Sequence, residues 1–278
     1  MPSTQPFEHM IEGPQGRLNL SEQPKGSKAP VLFVHSDGGN LHHWDRICAR
    51  LADRPTAAFD RRGHGKSDPP KSGSFAVADA ASDITAAADA LGWDRYFLVG
   101  HSGGALTAFA YASQEPDRLL GLVLVDPPPD PAVLPPGMIE EQMQELAGPD
   151  YQKGVEAHYR KIAGEDEHVA ERLVRDIKGT PKETVIGTFE AMSRFNPRDF
   201  LGYEGPALSI IQPQNDADGA LHRIGRFAHV AIDGVGHWIH LAAPERFLDV
   251  LEEFLSDHES VAENRENSPE RPGAGAAD

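Results

Sequence analysis

Leu98-Val99-Gly100-His101-Ser102-Gly103-Gly104-Ala105 is the stretch on which the fold turns. It reads as a buried strand that runs into G-x-S-x-G and then into a helix, the pattern of a nucleophile elbow. Small residues two positions either side of Ser102 allow a sharp turn without a side-chain clash. Such a turn holds the hydroxyl in the open, and the Gly103 N–H at the helix start faces any negative charge developing beside it. A serine hydroxyl is a weak nucleophile alone. The rest of the chain must therefore supply a base, an acid that orients it and a second oxyanion donor.

The 278 residues suffice for one large α/β core with an insertion. A formal net charge of −17 repels phosphate backbones and anionic lipid, so neither nucleic acid nor a membrane surface is an expected partner. The single cysteine, Cys48, cannot form an intrachain disulfide and falls in the apolar phase of a predicted helix. That usage fits a reducing, cytoplasmic setting. The first ten residues lack a basic-then-apolar signal pattern, and no stretch is long enough to span a bilayer.

Strands and helices alternate along the chain. Residues 6–21 suggest a hairpin turning at Gly13-Pro14-Gln15-Gly16. Pro30 to His35 is a continuous apolar run, as in a strand covered on both faces. Further strands are predicted at Thr56 to Phe59, Tyr96 to Val99, Leu119 to Val125, Ala207 to Ile211 and His229 to Ile232. Val77, Ala81, Ile84, Ala88 and Leu91 recur at helical spacing before Gly92, and Pro244 opens a final helix with one apolar stripe. The alternation predicts an α/β fold, a mostly parallel doubly wound sheet. Residues 127–205 break it with prolines and charged helical segments, including a capping box at Thr180-Pro181-Lys182-Glu183. This block is expected to be a helical lid on a core made of residues 1–126 and 206–256. The acid-rich segment 257–278 lacks apolar content and is expected to be disordered.

The expected base is His237, in Gly234-Val235-Gly236-His237-Trp238, where glycines let the backbone approach another loop. His240 is its competitor. Four motifs then stand in order, each at a strand end: Val34-His35-Ser36-Asp37-Gly38-Gly39-Asn40 with Trp44; Asp60-Arg61-Arg62-Gly63-His64-Gly65-Lys66-Ser67; Gly100 to Gly104; and Gly236-His237-Trp238. Together they resemble the α/β-hydrolase superfamily, in the lid-bearing branch of small esterases and lactonases, over roughly residues 6–256. Serine first and histidine last is the chain order of that family's triad.

The resemblance implies further residues. It makes the backbone N–H of Asp37 the second oxyanion donor beside Gly103, although this chain has Ser36 where the family usually has glycine. A carboxylate aimed at an oxyanion opposes catalysis, so the Asp37 side chain is expected to turn away and cap the following turn. The segment containing His64 is implied to be scaffold. The orienting acid follows one of two strands. Asp126, at the end of Leu122-Val123-Leu124-Val125, is the favoured candidate; Asp216 is the alternative and Asp218 a third. In the family's usual acid segment the usual position falls on Asn215. His101 and Trp238 are placed beside the pocket as substrate-binding residues. His35, His42 and His43 with Cys48 or Asp45 match no standard zinc spacing, so no metal and no cofactor is expected.

These readings predict a serine hydrolase acting on small uncharged esters or lactones, as a monomer or homodimer. Rivals on the same fold are a cofactor-free oxygenase or perhydrolase and a carbon–carbon bond hydrolase; a non-enzymatic binding protein is the rival outside catalysis. Dehalogenase and epoxide-hydrolase chemistry need a carboxylate nucleophile where this chain has Ser102.

Overall fold

The computed structural model describes the backbone of residues 6–266 and the side chains of residues 6–259. Among the described residues, eight strands form one sheet: β1 (Phe7–Glu12), β2 (Arg17–Gln23), β3 (Val31–Val34), β4 (Thr56–Phe59), β5 (Tyr96–His101), β6 (Leu119–Val125), β7 (Ala207–Ile211) and β8 (Ala228–Ala231). Their spatial order is β1-β2-β4-β3-β5-β6-β7-β8. The β1/β2 and β2/β4 pairs are antiparallel and every later pair is parallel.

The helices are α1 (Asp45–Arg50), α2 (Val77–Leu91), α3 (Gly103–Gln114), α4 (Met138–Ala147), α5 (Tyr151–Ala163), α6 (Glu167–Gly179), α7 (Lys182–Ser193), α8 (Leu221–Gly225), α9 (Ile239–Ala242) and α10 (Pro244–Glu266). Two apolar clusters cover the two sheet faces. One joins α2 and α3 to Leu32, Val34, Leu98 and Leu122; the other joins α1 and α10 to Val31, Phe33, Val99 and Val123. The alternation within each strand assigns successive residues to opposite faces, and both faces are buried, as the continuous apolar runs predict. Among the described residues, no strand lies between β6 and β7, where the chain makes its four-helix excursion α4–α7. None of the described helices is long and apolar enough to cross a membrane.

Two local expectations fail. The capping box does not form: α7 has Pro181 at its N-cap with no side-chain cap, and Thr180 Oγ1 donates to the Asp176 carbonyl instead, 3.1 Å away. The preceding helix captures the hydroxyl first, because its open C-terminal carbonyls lie within reach. The predicted disorder from Asp257 onward also needs correction, since α10 continues to Glu266. Its apolar stripe, Phe247, Leu251, Phe254 and Leu255, is buried. One turn beyond, Glu259 accepts from the buried Arg54 side chain (3.3 Å) and from the Ala29 backbone N–H. Residues 267–278 of that expected tail lie outside the described residues.

Candidate active site

The site is built from strand ends. β5 hands over to α3 at Ser102, whose φ of 55° and ψ of −123° are unfavourable for a side-chain-bearing residue. The turn is held by close packing. The Ser102 N–H donates to the Val125 carbonyl at 2.9 Å. A Cβ at Gly104 would overlap the His35 carbonyl oxygen, so only glycine lets α3 approach β3 this closely. Gly103 is the first residue of α3, where a helix leaves its N–H without an intrahelical acceptor.

Asp126 ends β6 and is fully buried. Its φ of 43° bends the chain away from the sheet immediately before Pro127. Four donors converge on its carboxylate: His237 Nδ1 at 2.6 Å, Gln212 Nε2 at 2.7 Å, Asn215 Nδ2 at 2.7 Å and the Gln212 N–H at 3.0 Å. Burial alone would raise the carboxyl's pKa, but hydrogen bonds from His237, Asn215 and Gln212 outweigh it and hold the pKa below the ordinary value. Asn215, at the family's usual acid position, therefore donates to the carboxylate of Asp126 at the end of the neighbouring strand. Asp216 lies in a separate cluster with His222 (3.0 Å) and Arg223 (2.7 Å).

His237 sits in the loop between β8 and α9, and its backbone N–H donates to the Ile162 carbonyl at 2.8 Å. A Cβ at Gly236 would overlap the Ala163 carbonyl, so the glycine lets this loop lie flat against the end of α5. His101 is fully buried behind the loop, with Nε2 3.0 Å from the His237 carbonyl. Burial and the neighbouring His237 push the His101 pKa well below 6.5. The ring is therefore neutral, and Nε2–H is the donor to that carbonyl. His101 packs against the His237 loop and is not among the residues lining the cavity. His240 is buried with its ring stacked on Trp44 at 4.1 Å.

The β3 end explains the serine at the family's glycine position. Ser36 Oγ accepts from the buried indole Nε1–H of Trp238 at 3.2 Å, tying this turn to the His237 loop. The Asp37 carboxylate does not turn away as expected. Oδ1 accepts from Arg61 Nη1 at 2.7 Å, and Oδ2 lies where a Cβ on Gly103 would stand. A buried cation thus balances the negative charge beside the elbow. Tyr159 of α5 donates its hydroxyl to the Asp37 carbonyl at 2.9 Å, fixing the orientation of the next peptide. His35 accepts from the Arg61 N–H at 2.9 Å and donates Nδ1–H to the Ser36 carbonyl at 2.7 Å. Its ring packs edge-on to the fully buried His64, which places that segment in the scaffold.

Ser102, Asp126, His237, Trp238 and Asp37 line one cavity of about 550 Å³. Its remaining wall comes largely from the four-helix excursion, including Leu146, Val155, Ile162, Val185, Phe189 and Met192. Gln212, Arg61 and Tyr159, given no site role from the sequence, make hydrogen bonds here. Arg61 stands inside a recognised motif; Gln212 and Tyr159 carry no local signal, because only the tertiary fold brings them to the site.

Residues 29–189 match the family model for the alpha/beta hydrolase fold. The chain is 38% identical over 112 residues to 2-(acetamidomethylene)succinate hydrolase of Mesorhizobium japonicum, a match covering 40% of each chain. It is 32% identical over 150 residues to lipase LipV of Mycobacterium tuberculosis, covering 53% of this chain and 56% of that one. These matches span only about half the length of the curated relatives. A thermophilic esterase from Thermogutta terrifontis superposes with a TM-score of 0.77 at 24% identity, covering 92% of this chain and 99% of that one.

Proposed function

Because the chain belongs to the alpha/beta hydrolase family, we propose that it is a serine hydrolase that cleaves carboxylic esters or lactones through an acyl-enzyme. The observation that carries this reading is the 2.6 Å His237–Asp126 contact in the same cavity as the strained Ser102.

Ser102 Oγ attacks the carbonyl carbon while His237 takes its proton through Nε2. Asp126, bonded to Nδ1, selects that tautomer and stabilises the imidazolium. The tetrahedral oxyanion is received by the N–H groups of Gly103 and Asp37. His237 then protonates the departing alkoxide, whose loss leaves the acyl-enzyme. Water, deprotonated by His237, attacks the ester carbon and returns Ser102 with release of the acid. In a lactone the alkoxide and acyl group belong to one molecule, and the product is a single hydroxy acid.

Residues 127–205 act as a lid over this chemistry. The apolar side chains they place in the cavity favour uncharged substrates, which is consistent with a small ester or lactone. The names of the relatives, a hydrolase and a lipase, support hydrolysis as the reaction class.

The test is labelling with a fluorophosphonate, followed by turnover of a panel of short aryl esters and lactones. One probe adduct is expected on Ser102, with turnover lost about a thousandfold or more in Ser102→Ala. Full turnover of the best substrate by Ser102→Ala would overturn the acyl-enzyme reading in favour of base chemistry by the His/Asp pair.

A further inference from the structure

Asp216, His222 and His229 come together from three separate elements. Asp216 follows β7, His222 lies on α8 and His229 on the edge strand β8. His222 Nε2 is 3.0 Å from Asp216 Oδ1, and His229 Nε2 is 3.5 Å from Oδ2. One ligand atom from each residue lies within 4.8 Å of the other two. The two imidazoles stack at 4.3 Å with 27° between their planes, so both present Nε2 to the carboxylate. His222 is 3% exposed, whereas His229 and Asp216 are 37% and 32% exposed. The cluster is thus anchored on one side and open to solvent on the other.

An ion bonded at about 2.0–2.2 Å to nitrogen and carboxylate oxygen spaces its ligand atoms a little over 3 Å apart. The two imidazole nitrogens stand 3.0 and 3.5 Å from the two oxygens of one carboxylate, near that spacing, and the three ligand atoms lie within 4.8 Å of one another. We propose that Asp216, His222 and His229 form a surface site for a divalent transition-metal ion of the zinc class. Two imidazoles and one carboxylate suit such an ion better than Mg²⁺ or Ca²⁺, which take oxygen ligands. Three protein ligands leave further positions to water.

One charged neighbour opposes the ion. Arg223 Nε donates to Asp216 Oδ1 at 2.7 Å, occupying a lone pair and adding a positive charge. Among the described residues His222 Nδ1 has no hydrogen-bond partner, so the ring lacks the outer acceptor that strengthens a metal-bound histidine. Both features predict an exchangeable ion held less tightly than in a closed structural site. The proposal is independent of the hydrolytic reading, because none of the three residues is among those lining the cavity that holds Ser102 and His237.

The untagged full chain, stripped with a chelator, would be titrated with Zn²⁺ by calorimetry and with Co²⁺ by visible absorption. One ion per chain and Co²⁺ d–d bands are expected. His229→Gln, at an exposed position and checked by its melting curve, is expected to weaken binding at least about tenfold. Arg223→Gln, which frees Oδ1, is expected to strengthen it. Failure of the wild-type chain to bind one equivalent would overturn the site. So would binding unchanged in His229→Gln, as diffuse attraction to a chain of net charge −17 would give.

Discussion

Asp126 and His237 lie 111 positions apart in the chain and 2.6 Å apart in space. The contact is possible because β6 ends beside β7, whose following turn supplies Gln212 and Asn215 to the same carboxylate. In Asp126→Asn the amide keeps the shape but loses the charge that stabilises the imidazolium and the acceptor that selects its tautomer. A fall in kcat of about 10⁴ is expected, with KM little changed. Asp218→Asn, in the segment where the family more often carries its acid, is expected to leave turnover unchanged. Steady-state kinetics on the best ester checks both.

Ser36→Gly restores the residue usual in the family and removes the acceptor of the Trp238 indole. A buried N–H left unpaired costs about 1–3 kcal/mol. For a chain of this size the melting temperature should fall by roughly 2–4 °C per kcal/mol. Differential scanning calorimetry reads the shift, and an unchanged melting temperature would mean that the 3.2 Å contact contributes nothing.

Tyr159→Phe keeps the ring in the cavity wall and deletes its hydrogen bond to the Asp37 carbonyl. A neutral hydrogen bond contributes about 0.5–1.5 kcal/mol. Since the bond restrains the peptide that follows the proposed oxyanion donor, the loss should appear as a roughly three- to tenfold fall in kcat with KM nearly constant.

The buried histidines set the acid stability. Burial is the first cause of the lowered pKa at His64, followed by the neighbouring Arg61, and it brings that group to about 4. Burial likewise holds His35, His101 and His240 well below the ordinary 6.5. In the unfolded chain these rings take up protons near pH 6.5; in the folded chain they do not. The unfolded state therefore binds more protons between the two values, so stability rises with pH across that window. It is complete above about pH 6.5 and lost progressively as pH falls, for His64 until about pH 4. The lowered carboxyl of Asp126 adds a further loss only below the ordinary carboxylate range. Urea melts between pH 4 and 7 should show this rise, and His64→Phe should flatten it.

The fold was legible wherever one stretch of sequence carries a whole physical requirement. Strands β6 and β7 coincide with Leu119 to Val125 and Ala207 to Ile211, because a buried parallel strand must be apolar throughout. The elbow was legible because close helix–strand approach demands small residues at fixed positions. What escaped depends on neighbours distant in sequence. The Asp37 carboxylate is turned by Arg61 and the Thr180 hydroxyl by the preceding helix. Segment 257–266 is helical because α10 carries on past its buried stripe to Glu259 and its partner Arg54. The Asp216, His222 and His229 spacing also matches no short ligand motif, since a strand, a helix and a loop must fold before the three meet.

The end of α5 gives its Ile162 carbonyl to the His237 N–H and its Tyr159 hydroxyl to the Asp37 carbonyl. On the proposed reading, the segment that shapes the pocket also carries two struts of the reaction centre. This couples selectivity and turnover within one short peptide. A chimera that exchanges residues 127–205 for another protein's helices would change both together. A graft that retains residues 159–164 could change substrate preference while leaving the bond-breaking geometry in place.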